Sequence, residues 1–190
     1  QGHSAYPDRS NNPIVAMVKL LDKLASHQLD AGTEHFDPST LAITSVDTGN
    51  KASNVIPAVT KATINIRFND SHSGSSLVSW LKDEIEKVSA EYGIKFKTDF
   101  KISGESFITP PGELSDLISK AVKQELGVTP KLSTTGGTSD ARFIKDMCPV
   151  TEFGLVGKTM HAVDEKVETK QINQLKEIYT RILEAYFEKT

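Results

Sequence analysis

The order of predicted elements over the first hundred residues constrains the fold more than any other feature of this chain. Apolar periodicity predicts, in order, a helix at 13–27, strands at 40–46 and 61–68, a helix at 76–92 and a strand at 94–102. This is the order of a split β-α-β unit, a ferredoxin-like topology, without its first strand. Because that strand lies inside the sheet, its loss would leave backbone donors and acceptors unpaired. We therefore expect it immediately upstream of Gln1, or partly overlapping it.

The pattern changes to α/β after a linker-like stretch at 103–112 that contains Pro110 and Pro111. The elements predicted beyond it are a helix ending at Gly127, a strand at 131–133, a short helix with Phe143 and Ile144, a strand at 150–153 and a last helix with Ile172 through Tyr186. Two domains are expected, at 1–104 and 105–190.

Composition excludes several classes of function. A net charge of -3 and a pI of about 6.0 leave no basic surface for nucleic acid. The sequence has no long apolar run, so no membrane span is predicted. Cys148 is the single cysteine, which excludes an internal disulfide and is typical of a reducing cytoplasm. Its apolar neighbours predict that it is buried.

Three segments of the first region carry side chains suited to a ligand. His3 precedes a turn at Pro7 and can present its imidazole to a neighbouring surface, or be an ordinary turn residue. Asn54, in the polar loop 49–57, can bind a carboxylate or an amide, unless the loop is a plain hairpin turn. Arg67 on the polar face of a strand can grip a carboxylate with two hydrogen bonds, or be solvated or ion-paired.

Two segments of the second region are also candidates. The turn 134–140 contains Gly136 and Gly137 and can expose backbone N–H groups to a carboxylate, or be a tight turn capped by Ser139. His161, with Glu165 in a glycine-flanked loop, is typical of one metal ligand. A hydrolytic zinc needs about three protein ligands, and no second ligand motif is present. His161 is therefore an ordinary loop histidine or one ligand of a site completed by upstream sequence.

Taken together and in this order, the segments resemble the M20 family of dinuclear zinc amidohydrolases. The matching stretches are Gly2-His3-Ser4-Ala5-Tyr6-Pro7, Ser53-Asn54-Val55-Ile56-Pro57, Asn65-Ile66-Arg67-Phe68, Ser133-Thr134-Thr135-Gly136-Gly137-Thr138-Ser139-Asp140-Ala141-Arg142-Phe143 and Met160-His161-Ala162-Val163-Asp164-Glu165. The resemblance covers essentially the whole chain. It is strongest to members that release succinate from N-succinyl-LL-2,6-diaminopimelate in lysine and cell-wall precursor synthesis.

The resemblance implies a zinc-binding α/β catalytic domain interrupted by a smaller lid that also forms a homodimer. Residues 1–104 would be the ferredoxin-like lid without its first strand, and residues 105–190 the C-terminal half of the catalytic domain. His161 would bind one of two zinc ions per full-length subunit, with cobalt or manganese as alternatives. His3 would reach the partner subunit's site and stabilise an oxyanion. The residues that would line the substrate pocket are Tyr6, Asn54, Arg67, Gly137 and Thr138.

The resemblance leads to two expectations about activity and leaves one alternative open. The other metal ligands belong to a part of the family sequence absent here, so the chain alone is expected to be inactive. Gly157 stands where the desuccinylase pattern has Asn, which leaves open another deacylase of the family, such as one acting on acetylornithine. A non-catalytic dimerisation and ligand-binding module is the alternative from a different class.

Overall fold

The computed structural model describes residues 1–137 and 139–188. The chain divides into two compact units, Gln1–Ser106 and Phe107–Thr190. The assignment of residues 1–104 to a lid and 105–190 to part of a catalytic domain stays a prediction. No helix among the described residues is both long and apolar enough to cross a membrane.

The first unit is built on two helices that share one core. Helix α1 (Pro13–Ser26) begins where the Asn12 side chain accepts a hydrogen bond from the Ile14 N–H at 3.0 Å, as its Asn-Pro start predicts. Helix α2 (Gly74–Tyr92) ends at Gly93 with a φ of 61°, a left-handed cap. The buried residues of this core are Ala16, Leu20, Leu24, Leu81 and Val88. Both predicted helices are confirmed.

A two-stranded antiparallel sheet packs against this helical core. Strand β2 (Thr40–Asp47) pairs with strand β4 (Lys61–Arg67), which places Leu41 opposite Ile66. Along β4, half-buried and exposed residues alternate, so Ile64 and Ile66 reach the core as the period of two predicts. Both predicted strands are confirmed.

A second, smaller ribbon joins the start of the chain to the loop between β2 and β4. Strand β1 (Gly2–His3) pairs antiparallel with strand β3 (Val55–Ile56), with Gly2 opposite Ile56 and His3 opposite Val55. A short 3-10 turn, Pro7–Arg9, follows β1. The first residues of the chain therefore pair with the 49–57 loop and not with β4.

The strand predicted at 94–102 is wrong. Ile94, Phe96 and Phe100 pack against the helical core, and Lys95 and Lys97 are exposed, so the side chains keep the predicted alternation. However, this segment pairs with no strand in the part of the chain that the structure describes. In a split β-α-β unit its neighbour is the first strand, and an extended segment without a neighbour has no ladder of backbone hydrogen bonds.

The second unit is held together mainly by two helices. Helix α3 (Glu113–Leu126) packs against helix α5 (Thr169–Phe187), and the short helix α4 (Ala141–Ile144) lies between them in sequence. The buried core consists of Ile118, Ala121, Val122, Ile178 and Ile182. The helices expected in this region are confirmed.

Two predicted strands and one predicted burial in the second unit are wrong. Residues 131–133 and 150–153 form no strand, because neither finds a strand partner among the described residues of this unit. Cys148 is exposed, since it lies in the turn that follows α4, where its N–H donates to the Ile144 carbonyl at 3.1 Å. Apolar neighbours in sequence did not place it in the core.

Candidate functional site

The β1–β3 ribbon brings three of the predicted site residues into one place, which we call the ribbon site (His3, Tyr6 and Asn54). The Ser4 N–H donates to the Asn54 carbonyl at 3.0 Å, directly beyond the His3–Val55 pair. The Tyr6 N–H donates to the His3 carbonyl at 3.0 Å, and the two rings lie 5.9 Å apart between centroids. The three side chains are exposed, so they are accessible to a ligand.

The backbone next to His3 determines which nitrogen of its ring carries the proton. The Ala5 N–H donates to His3 Nδ1 at 3.0 Å, so Nδ1 acts as an acceptor. In a neutral imidazole the proton is then on Nε2. His3 therefore presents an Nε2–H donor to the solvent, which is the form suited to stabilising a developing negative charge.

Hydrogen bonds from Asn50 hold the loop that carries Asn54. The Asn50 side-chain NH₂ donates to the Val55 carbonyl at 2.8 Å, and its side-chain oxygen accepts from the Ala52 N–H at 3.2 Å. The turn itself uses Gly49, with a φ of 61°. Asn54 contributes only backbone groups to the loop, and its carboxamide makes no hydrogen bond to another described residue. The loop can therefore be a hairpin turn and still present the Asn54 carboxamide to a ligand.

Arg67 is not part of the ribbon site. It pairs with Thr40 at one end of the β2–β4 sheet, whereas the loop of Asn54 leaves the sheet at the other end, where Asp47 pairs with Lys61. The length of β4 between Lys61 and Arg67 corresponds to about 20 Å. One copy of the first unit therefore does not place Arg67 and Asn54 around one small ligand.

The turn 134–140 lies in the second unit and is only partly described. The Ser139 hydroxyl accepts a hydrogen bond from the Ala141 N–H at 3.1 Å, but the N-cap residue of α4 is Asp140, which makes no side-chain cap hydrogen bond, so the prediction of Ser139 as the cap is wrong. Arg142 donates to the Ser139 carbonyl at 2.7 Å. Gly137 is exposed, and Thr138, a predicted pocket residue, lies outside the described residues.

His161 occupies a closed loop with unusual backbone angles. Its φ is 59°, in the left-handed region that side chains other than glycine rarely adopt, and Asp164 has a φ of 60°. Two hydrogen bonds close the loop: the Thr159 hydroxyl accepts from the Lys166 N–H at 3.0 Å and donates to the Lys166 carbonyl at 2.9 Å. Glu165 accepts from the His161 N–H at 3.3 Å. The backbone at His161 is thereby held in an exposed, strained loop, a combination seen at functional sites.

A zinc ion does not fit the described residues alone. Over residues 1–137 and 139–188, no three His, Cys, Asp or Glu side chains come together as a metal site. A hydrolytic zinc takes three protein ligands and keeps one open position. The described residues therefore do not supply a complete set of zinc ligands around His161.

A polar cluster of the first unit was not identified from the sequence. In this Asp30 cluster (Asp30, Ser39, Asn69 and His72), the Asp30 carboxylate accepts from the Gly32 N–H at 2.7 Å and from the Asn69 side chain at 2.6 Å. His72 Nε2 lies 3.2 Å from the same carboxylate. Burial raises the pKa of Asp30, but hydrogen bonds from Ser39, Gly32 and Asn69 outweigh it and hold the pKa well below its usual value. The spacing of Asp30 and Gly32, which is typical of an Asp side chain that accepts from the backbone two residues on, was the sequence signal that could have revealed this cluster.

Comparisons with known proteins agree with the resemblance. Residues 1–93 match the M20 peptidase dimerisation domain. The chain is 64% identical over 187 residues to the succinyl-diaminopimelate desuccinylases of Ruegeria pomeroyi and of Cereibacter sphaeroides, covering 98% of this chain and 49% of each relative. A tripeptidase from Staphylococcus aureus shares the fold, with a TM-score of 0.78 at 20% identity, over 97% of this chain and 48% of that one. The chain spans about half the length of the curated relatives it matches.

Proposed function

We propose that the chain is part of an M20-family desuccinylase, on the premise that residues 1–93 match the M20 peptidase dimerisation domain. The proposed reaction is metal-dependent hydrolysis of N-succinyl-LL-2,6-diaminopimelate to succinate and LL-2,6-diaminopimelate. The observation that carries the proposal is the high identity to desuccinylases, which extends over both units of the chain. The finer assignment, a ferredoxin-like lid followed by the C-terminal half of the catalytic domain, is part of the proposal.

His3 is the residue proposed to act on the reacting carbonyl. Attack of water on the succinyl amide gives a tetrahedral intermediate with a negative oxygen. The Ala5 hydrogen bond to Nδ1 supports this role, because it leaves the Nε2–H of His3 as a donor for such an oxygen. Because a donor of this kind is useful only where charge develops, His3 must approach the substrate from a mobile or neighbouring element.

The remaining proposed pocket residues suit a substrate rich in carboxylates. Asn54 offers a carboxamide and Arg67 a guanidinium, while Tyr6 provides an aromatic wall beside His3. Gly137 and Thr138 are proposed to line the same pocket. His161 is proposed as a ligand of one of two zinc ions per full-length subunit, with cobalt as the alternative; such ions supply an activated water when bound.

A homodimer formed through the first unit is the proposed assembly. Arg67 and the ribbon site lie at opposite ends of the β2–β4 sheet, so two copies are needed to place both around one substrate. Strand β2 offers a surface for this contact, because it pairs with β4 alone among the described residues and exposes Ile43 and Val46. An exposed strand edge of this kind is a ready site for pairing with another chain. The single cysteine supports placing the enzyme in the reducing cytoplasm.

The second candidate is a related M20 deacylase with a different acyl group. Gly157 favours it, because a glycine offers no side-chain amide where the desuccinylase pattern has Asn. The two candidates differ in the acid that they release. They are separated by the hydrolysis of succinyl and acetyl substrates.

The test is an assay of the full-length protein that carries this sequence, supplied with zinc. Release of succinate from N-succinyl-LL-2,6-diaminopimelate is compared with release of acetate from N-acetylornithine. We expect at least a hundredfold preference in kcat/KM for the succinyl substrate. The His3→Ala variant should lose about 10²–10³ in kcat, as is typical for loss of one oxyanion donor, while His35→Ala serves as the histidine control. Preference for the acetyl substrate would select the second candidate, and no hydrolysis of either would reject both.

A further inference from the structure

A surface cavity of about 460 Å³, largely open to solvent, lies beside the ribbon site within the first unit. Its walls come from the start of the chain, the beginning of α1 and the 50–57 loop. Its lining includes Ser4, Asn12, Asn50, Lys51, Ser53 and Val55. The volume falls in the range of pockets that hold small molecules.

The charged groups that line this cavity are only positive. Lys51 is the only charged residue among those that line it, and no carboxylate does. Its ammonium makes no ion pair with a described residue, although the chain as a whole is acidic. The two Asn50 hydrogen bonds, to the Val55 carbonyl and from the Ala52 N–H, enclose Lys51 in a fixed loop. The cavity wall therefore carries a positive charge that is not neutralised within the described chain.

Uncharged donors converge on the same space. The hydroxyls of Ser4 and Ser53 make no hydrogen bond to another described residue. Asn12 lines the cavity and uses its side-chain oxygen to cap α1, which leaves its NH₂ group as a donor. Its position also shows that the positive end of the α1 dipole faces this side. Hydrogen-bond donors and positive charge therefore reach this space from the start of the chain, the beginning of α1 and the 50–57 loop.

We infer that this cavity binds a carboxylate of a small organic acid through Lys51, Ser4 and Ser53. The ammonium of Lys51 forms the ion pair and the two hydroxyls donate hydrogen bonds, which together are stronger than any one of them. The cavity adjoins the ribbon site directly, because Ser4 follows His3 and Val55 pairs with it. The identity of the acid rests on the proposed function: it is the free carboxylate of the succinyl group.

The binding of succinate to the full 190-residue chain tests the inference. Its Kd is measured by titration calorimetry, and the affected residues are located by amide chemical shifts. Lys51→Ala is expected to raise the Kd at least tenfold, whereas Lys51→Arg keeps it within about threefold because the charge remains. Lys97→Ala is the matched control, since Lys97 is an exposed lysine of the same unit outside the cavity. Unchanged far-UV circular dichroism verifies that each variant is folded.

Three results would overturn the inference: no succinate binding by the parent chain, an equal Kd in Lys51→Ala and Lys97→Ala, or shifts confined to residues outside the cavity. The outcome is separable from that of the proposed function. Succinate binding that depends on Lys51 supports the carboxylate site even if the full-length protein fails to hydrolyse succinyl substrates. Hydrolysis with a KM unchanged by Lys51→Ala would reject the site and leave the desuccinylase proposal intact.

Discussion

The two units of this chain differ in how far their apolar residues find partners within the unit. In the first, two helices and the β2–β4 sheet close around one core, and even the segment without strand pairing packs its aromatic side chains there. In the second, α3 and α5 bury one face each, while Met147 is 83% exposed and Val163 94% exposed. The first unit therefore carries the features of an independent domain, and the second consists of two packed helices joined by segments that leave large apolar side chains exposed.

The largest expected effect comes from the core of the first unit. Leu24→Ala should lower its free energy of unfolding by about 2–5 kcal/mol, because it empties a site that is 2% exposed. The only tryptophan, Trp80, lies in α2 and reports on this unit by its fluorescence during urea unfolding.

The Trp80 fluorescence also tests whether the two units unfold independently. Ile178→Ala removes an equally buried side chain in the second unit and should leave the Trp80 transition unchanged. Val18→Ala, on the exposed face of α1, controls for helix effects and should shift it by about 0.5 kcal/mol or less. If Ile178→Ala moves the Trp80 transition as much as Leu24→Ala does, the two units share one cooperative core.

A smaller loss is expected from the Asp30 cluster, which fixes the loops of the first unit. Asn69→Ala should cost about 1–3 kcal/mol, because a buried side chain that donates to Asp30 and to the Asp37 carbonyl is lost and leaves polar groups unpaired. The matched variant is Asn65→Ala, on the exposed face of β4. Equal stability of the two variants would mean that the cluster does not hold the loops.

Acid should destabilise the first unit through the same cluster. The pKa of Asp30 is lower in the folded state than the ordinary value of about 3.9 in the unfolded chain. The unfolded chain therefore takes up the proton first as the pH falls, so this stabilisation is complete above about pH 5 and declines below pH 4. Urea midpoints followed by Trp80 should fall less steeply from pH 5 to 3 in Asp30→Asn than in Asp99→Asn. Parallel pH profiles would contradict the assignment.

The smallest expected effect compares the starts of two long helices. Asn12→Ala should cost about 1 kcal/mol, because the Asn12 side chain accepts from the Ile14 N–H. Glu168→Ala should change stability by about 0.5 kcal/mol or less, since Glu168 precedes α5 without a side-chain hydrogen bond to it. Thermal unfolding by circular dichroism measures both. A larger loss in Glu168→Ala would show that α5 is capped in a way the structure does not contain.

The sequence predicted those elements that local spacing and capping determine. The helices follow from apolar periodicity, from Asn12-Pro13 and from Gly93, and strand β4 follows from strict alternation between Lys61 and Arg67. The failed strands have a common cause: alternation places side chains, but a strand also needs a neighbour, which local sequence does not reveal. Cys148 failed for a related reason, since apolar neighbours do not fix the direction of a turn.

The candidate site was predictable as residue types but not as an arrangement. His3, Tyr6 and Asn54 meet because residues 2–3 pair with 55–56, a contact that the sequence did not reveal. The separation of Arg67 from them depends on the register of β4 with β2. Lys51 was overlooked because a lysine in a polar loop has no signature until a cavity without carboxylates is seen around it.

Subunit mixing tests the central claim, that His3 of one copy completes the active site of another. In the full-length protein, His3→Ala and His161→Ala each disable both sites of a homodimer. When the two variants are mixed in equal amounts and allowed to exchange subunits, half of the dimers are mixed and each holds one site without either defect. We expect recovery of about one quarter of the wild-type rate of succinate release. Activity that stays at the level of the separate variants would contradict it.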